Sequence, residues 1–97
     1  MSVTNNHETE TIQYKLRLFV AGDAPNSRIA RENLKSIQAR ICKSVSEIEV
    51  VDVMNEPEKA LQYEIYVTPA LQIIKSESIT IIFGNLSDSD SLIHLCP

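Results

Sequence analysis

Tyr14-Lys15-Leu16-Arg17-Leu18-Phe19-Val20, continued by Ala21-Gly22-Asp23-Ala24-Pro25-Asn26-Ser27, is the stretch on which the fold turns. Its first half sets Leu16, Leu18 and Val20 on one face and Lys15, Arg17 and Phe19 on the other, the period-two pattern of a strand. Its second half carries turn chemistry at Gly22, Asp23 and Pro25, and Asn26 or Ser27 is placed to cap a following helix. In that helix Ala30, Leu34, Ile37 and Ile41 form one apolar stripe. The other side carries Arg28, Arg31, Lys35, Arg40 and Lys43 against Glu32, five of the nine basic residues of the chain. An ordinary solvated surface is the expected role of this basic stripe; a docking face for an acidic partner is the sharper alternative.

Downstream, Glu47 to Val53 reads as a second strand, apolar on both faces towards its middle, as a covered strand would be. The order strand, helix, strand makes the two strands parallel. A short helix follows Asn55, with Glu56 and Pro57 in its first turn, and runs to about Tyr63. Beyond Val67-Thr68-Pro69, the runs Ala70 to Ile74 and Ser78 to Phe83 flank the polar break Lys75-Ser76-Glu77 and predict a hairpin. Gly84-Asn85 ends the sheet. Ser87 is placed to cap a last short helix, with Asp88 and Asp90 in its first turn and Leu92, Ile93 and Leu95 buried. A parallel βαβ half followed by an antiparallel hairpin half, βαβαββα in all, is the thioredoxin-like arrangement.

Composition bounds the function. Ninety-seven residues make one domain, and 43% hydrophobic with 23% charged residues is an ordinary globular balance. A net charge of -4 argues against nucleic acid as the partner, since a phosphate backbone calls for a basic face. No apolar run is long enough to span a bilayer. Residues 1–12 are polar and acidic, without the basic start and apolar run of a signal peptide, so the expectation is a disordered tail on a cytoplasmic domain of residues 13–97. Cys42 and Cys96 are expected to be free packing residues rather than a disulfide. His7 and His94 have no partner at ligand spacing, so neither metal nor other cofactor is expected.

On a thioredoxin-like plan the chemistry sits in two places. One is the loop after the first strand, where a cysteine at a helix N-terminus has a depressed thiol pKa. The other is an X-Pro peptide before the third strand, usually cis. Thr68-Pro69 supplies the second. The first is empty, because Gly22 to Ser27 contains no thiol and so no nucleophile for disulfide exchange. Thr68-Pro69-Ala70-Leu71 with Glu77-Ser78 superficially matches the proline and acidic-serine pair of glutathione-binding domains. There the pair opens a helix after the hairpin, whereas here it falls in the hairpin turn. A glutathione- or thiol-dependent enzyme is therefore the least favoured reading.

The segments LRLFVAGDAPNS (Leu16–Ser27), VVDVMNEP (Val50–Pro57), VTPAL (Val67–Leu71) and FGNLS (Phe83–Ser87) resemble the KaiB family, in its order and spacing. The resemblance implies a non-enzymatic regulator that docks on a KaiC-type RecA-fold ATPase, in circadian-type timing or stress signalling. It implies self-association as a homodimer or homotetramer, and an alternative resting fold in which the C-terminal half is rearranged. A thioredoxin-like sensor or adaptor module of a histidine-kinase pathway is the alternative, excluded if the chain is whole, because that sensor is joined to a kinase core. Asn55, Glu56, Lys59, Tyr63 and Tyr66 are the candidate partner interface, Tyr66 being equally placed for the core. Thr68 and Pro69, with Gly84 and Asn85, are the candidate cis-proline and hinge. The chain departs from the family pattern in having Asn85 where Asp is usual and no proline from Gln72 to Ser78. Asp23, Asn26 and Ser27 read as capping and turn residues, Gly22 and Gly84 as backbone specialists, and Met54 as core.

Overall fold

The computed structural model describes residues 13–38, 45–76 and 78–87. Its elements are β1 (Tyr14–Val20), α1 (Pro25–Gln38), β2 (Val45–Asp52), α2 (Pro57–Gln62), β3 (Ala70–Lys75) and β4 (Ser78–Phe83). They build a four-stranded sheet in the order β2-β1-β3-β4. β1 runs parallel to β2 and antiparallel to β3, and β3 pairs antiparallel with β4. The predicted tail, the last helix, and the residues Ile41, Cys42, Arg40, Lys43, Glu77, His94 and Cys96 lie outside the described residues.

Two apolar layers sandwich the sheet. Leu16, Leu18 and Val20 face α1, whose Ala30, Leu34 and Ile37 meet them together with Leu71, Ile73 and Leu86. On the opposite face Phe19, Val51, Ile65 and Ala70 form a smaller core, closed by Ala60 and Tyr63. Strand alternation alone leaves this second face as the solvent side of β1. It is buried instead, Arg17 included, because α2 lies across it.

Three local expectations shift. The helix cap moves back: α1 opens at Pro25, where the missing N–H costs nothing, so Asn26 and Ser27 lie within the first turn. The Ser27 hydroxyl accepts a hydrogen bond from the Ala21 N–H at 3.0 Å. β2 is an edge strand rather than a covered one, and Val50 is exposed. Lys75 belongs to β3, paired with Ser78, so the break in the hairpin is shorter than its polar run.

α2 ends on a Schellman pattern. The Ile65 N–H donates to the Ala60 carbonyl at 2.8 Å and the Glu64 N–H to that of Leu61 at 3.1 Å. Glu64 takes the left-handed conformation (φ 58°) that glycine usually fills there. Burial of Ile65 beside Ala60 in the second core holds this ending in place.

Candidate functional site

Topology gathers the candidate residues at one end of the sheet. β1 ends into the loop Ala21–Ala24 and the parallel β2 into the turn Val53–Glu56, while the antiparallel β3 starts there, with Ala70 opposite Phe19. The Gly84 N–H donates to the Pro69 carbonyl at 2.9 Å, which brings the segment after β4 to the same end. The Thr68–Pro69 peptide is cis.

One carboxylate ties the first two loops together. Asp52 Oδ1 accepts from the Gly22 N–H and from the Met54 N–H, both at 3.0 Å. The second contact is an Asx turn that lets β2 reverse. Gly22 is at φ 54°. Arg31 closes the arrangement, donating to the Gly22 carbonyl at 2.8 Å and lying 3.8 Å from Asp52 and 3.9 Å from Asp23. The basic side of α1 is thus not uniformly solvated: Arg28 and Lys35 are exposed, but Arg31 is turned into the loop. The Gly22 and Met54 N–H groups, with Arg31, hold the Asp52 carboxyl below the ordinary aspartate value of 3.8.

Beneath α2 lies a second polar assembly. Arg17, almost fully buried, donates from Nε to Glu49 Oε1 at 2.9 Å and from Nη1 to Gln72 Oε1 at 2.8 Å. Its guanidinium stacks 4.2 Å from the Tyr63 ring centre, and that ring packs 5.9 Å from Phe19. Lys59 reaches Glu49 Oε2 at 3.2 Å and Glu56 Oε2 at 3.5 Å. The hydrogen bond from Arg17 is the largest cause holding Glu49 below the ordinary 4.5, and Lys59 adds to it against the opposing effect of burial. Glu49 first, then Glu56, raise the Lys59 pKa above 10.5.

These shifts fix the sign of a pH dependence. Glu49 and Asp52 are depressed in the folded chain, so their stabilisation is present above the unfolded values and is lost as pH falls through the folded ones. Lys59 is raised, so its share is present below 10.5 and lost as pH climbs through the folded value. A series of thermal melts is expected to give a plateau between about pH 5 and pH 10 with a fall on either side. Glu49→Gln is expected to flatten the acid limb.

The candidate interface residues divide. Asn55 is exposed, Glu56 and Lys59 are half-buried and engaged in the ion pairs under α2, and Tyr63 gives its ring to Phe19 and Arg17. Tyr66 is 77% exposed, and Met54, read as core, is 71% exposed. Leu61 and Val67 are exposed as well. Asn85 knots the segment after β4 to α1. Its carbonyl accepts from Asn33 at 2.8 Å, its amide donates to Asn26 Oδ1 at 3.3 Å, and its Oδ1 accepts the Ser87 N–H at 3.0 Å. An aspartate there has no donor for Asn26. Gly84 at φ 106° and Leu86 at φ 65° flank it, the latter held by burial in the first core.

Four of the residues that build the site went unnoticed in the sequence: Asp52, Glu49, Gln72 and, as a buried cation, Arg17. Only Asp52 leaves a local signal, an Asp at a strand end before a turn. Among the described residues, no group of three or more His, Cys, Asp and Glu is arranged to hold a metal, and no helix is long and apolar enough to cross a membrane.

The sheet order, the helices on its two faces and the X-Pro entry to β3 define a thioredoxin-like domain whose first loop holds no cysteine. Solved thioredoxins share that fold: the Fasciola hepatica thioredoxin superposes with a TM-score of 0.70 at 18% identity, over 94% of this chain and 88% of its own. The N-terminal domain of Synechococcus elongatus SasA matches at 28% identity with a TM-score of 0.66, over 89% of this chain and 81% of that one. The family description "KaiB domain" matches residues 17–96. The "Circadian clock oscillator protein KaiB" of Prochlorococcus marinus subsp. pastoris is 38% identical over 80 residues, 82% of this chain and 75% of the relative. The chain belongs to the KaiB family.

Proposed function

We propose that this chain is a non-enzymatic, cytoplasmic KaiB-type regulator that binds a KaiC-type RecA-fold ATPase, in timing or stress-response signalling. One observation carries the reading. The loop that presents a thiolate in thioredoxins is here a thiol-free turn, fastened by Asp52, Arg31 and Ser27, at the end of the sheet where Met54, Tyr66 and Val67 are exposed. A loop whose backbone groups are held by these three side chains, none of them a thiol, presents no thiolate nucleophile. An end lined by exposed large apolar side chains has the composition of a binding surface, in which tyrosine is over-represented among hot spots. Family membership favours a KaiC-type ATPase as the class of partner.

The likeness to the SasA domain favours a second reading, a sensor or adaptor module in a histidine-kinase pathway. Co-purification from native lysate separates the two: an ATPase of the KaiC type is expected in the first case, a kinase-pathway component in the second. In the first, Tyr66→Ala is expected to weaken the complex by about tenfold or more while leaving the fold intact, because its side chain stands in solvent. Disulfide reduction and glutathione conjugation are expected at background rates. The resting-form rearrangement belongs to the same proposal. Its pivot is the Gly84–Ser87 segment, and the contacts of Asn85 with Asn26 and Asn33 favour the thioredoxin-like form.

A further inference from the structure

We propose that Met54 is the anchor of the docking end and that Asp52 is its positioning residue: the Asp52 carboxylate joins the loop after β1 to the turn after β2 and holds Met54 out for an apolar pocket of the partner. The anchor role rests on this end being the surface that meets a KaiC-type ATPase, and it names the contact on which that docking depends.

Asp52 closes β2, and the four N–H groups that follow it are all taken. The Val53 N–H extends the pairing with β1, donating to the Val20 carbonyl at 2.8 Å, and those of Asn55 and Glu56 donate to the Asp52 carbonyl at 3.0 and 2.9 Å. The Met54 N–H turns instead to Asp52 Oδ1, at 3.0 Å. One residue thus receives three of the four. Its carboxylate also accepts the Gly22 N–H from the neighbouring loop, at 3.0 Å. Arg31 braces the arrangement, donating to the Gly22 carbonyl at 2.8 Å and standing 3.8 Å from Asp52 Oδ2.

Met54 rides on that unit. Its Cγ lies 3.6 Å from where a Cβ on Gly22 would stand, so the root of the side chain rests on the loop after β1. Gly22, at φ 54°, has no side chain to displace it. The residue as a whole is nonetheless 71% exposed, which leaves most of the side chain to be enclosed.

A long apolar side chain on a loose turn gives little to an interface, because ordering the turn on binding cancels much of the gain from burial. On a backbone already fixed, only the rotamers of one side chain remain to be ordered. Methionine, unbranched and polarizable, fits apolar pockets of irregular shape. The Asp52 side chain is itself partly exposed and stands outside both apolar cores. Its part is to shape this end of the sheet rather than to fill the interior.

Calorimetric titration into the purified KaiC-type ATPase of the same organism tests this, with the fold of each variant checked by circular dichroism. Met54→Ala is expected to raise the dissociation constant about tenfold or more, and Met54→Leu, which keeps the apolar bulk, by less than about threefold. Asp52→Ala is expected to raise it about fivefold or more. Asp52→Asn keeps an oxygen that accepts from both N–H groups and is expected to recover most of that loss. A residue that acts by placing Met54 adds nothing once that side chain is gone. The double variant Met54→Ala with Asp52→Ala is therefore expected to bind within about twofold of Met54→Ala alone. A wild-type chain that binds in no nucleotide state removes the docking reading, and the anchor with it. A wild-type chain that binds, with Met54→Ala or Asp52→Ala leaving its affinity unchanged, overturns the anchor role alone. So do additive losses in the double variant, or an Asp52→Asn chain as weak as Asp52→Ala.

Discussion

Phe19→Ala is expected to cost about 3–5 kcal/mol of folding stability, the largest loss from any single truncation on the α2 side of the sheet. Phe19 is fully buried, flanked in the ladder by Val51 and Ala70, and its ring packs tilted against that of Tyr63. Among the described residues the core on that face is small: beyond these residues only Ile65 is fully committed to it, with Val53, Ala60 and Ile81 partly so. A cavity at its centre has few neighbours able to collapse into it, and α2, one and a half turns long, has little stability of its own without it. For a domain of this size the corresponding fall in melting temperature is about 15–30 °C, which a thermal scan reads directly. Phe19→Leu, which keeps most of the volume, is expected to lose less than about 2 kcal/mol. A Phe19→Ala loss below about 1 kcal/mol contradicts the packing described here.

Arg17→Ala is the second large effect, expected at about 2–4 kcal/mol. The substitution removes hydrogen bonds to Glu49 and Gln72 and the stack on Tyr63. It leaves the Gln72 side chain, buried in the sheet, with an unpaired carbonyl oxygen. The magnitude stays below that of a fully buried pair for two reasons: the Glu49 side chain retains some contact with solvent, and Lys59 remains beside it. Arg17→Met keeps the apolar stem under Tyr63 and is expected to lose less than Arg17→Ala. A double-mutant cycle of Arg17→Ala with Glu49→Ala isolates the ion pair, with an expected coupling of about 1–2 kcal/mol. Additive effects at these two positions contradict a direct link.

These two neighbours on one strand show where the sequence is readable and where it is not. The alternation of Leu16, Leu18 and Val20 settles one face of β1, since period-two spacing needs only local information. Phe19 and Arg17 stand on the other face, and their burial depends on α2 and on partners 32 and 55 residues away in the chain. No local pattern carries that. The same limit explains Val50, which is apolar yet exposed because β2 is an edge. The chemistry of Met54 alone points to core. Its place on the turn that Asp52 pins is a consequence of how two loops meet. The emptied first loop, by contrast, is legible in full, because the absence of a cysteine between Gly22 and Ser27 needs no structure to be seen.

The end of the sheet that carries this thiol-free loop is the proposed docking surface. If this end of the sheet is a docking surface for a KaiC-type ATPase, calorimetric titration of the folded chain into the purified ATPase of its own organism gives saturable binding that changes with the bound nucleotide. No binding in any nucleotide state, with the chain folded and the ATPase active, contradicts the account.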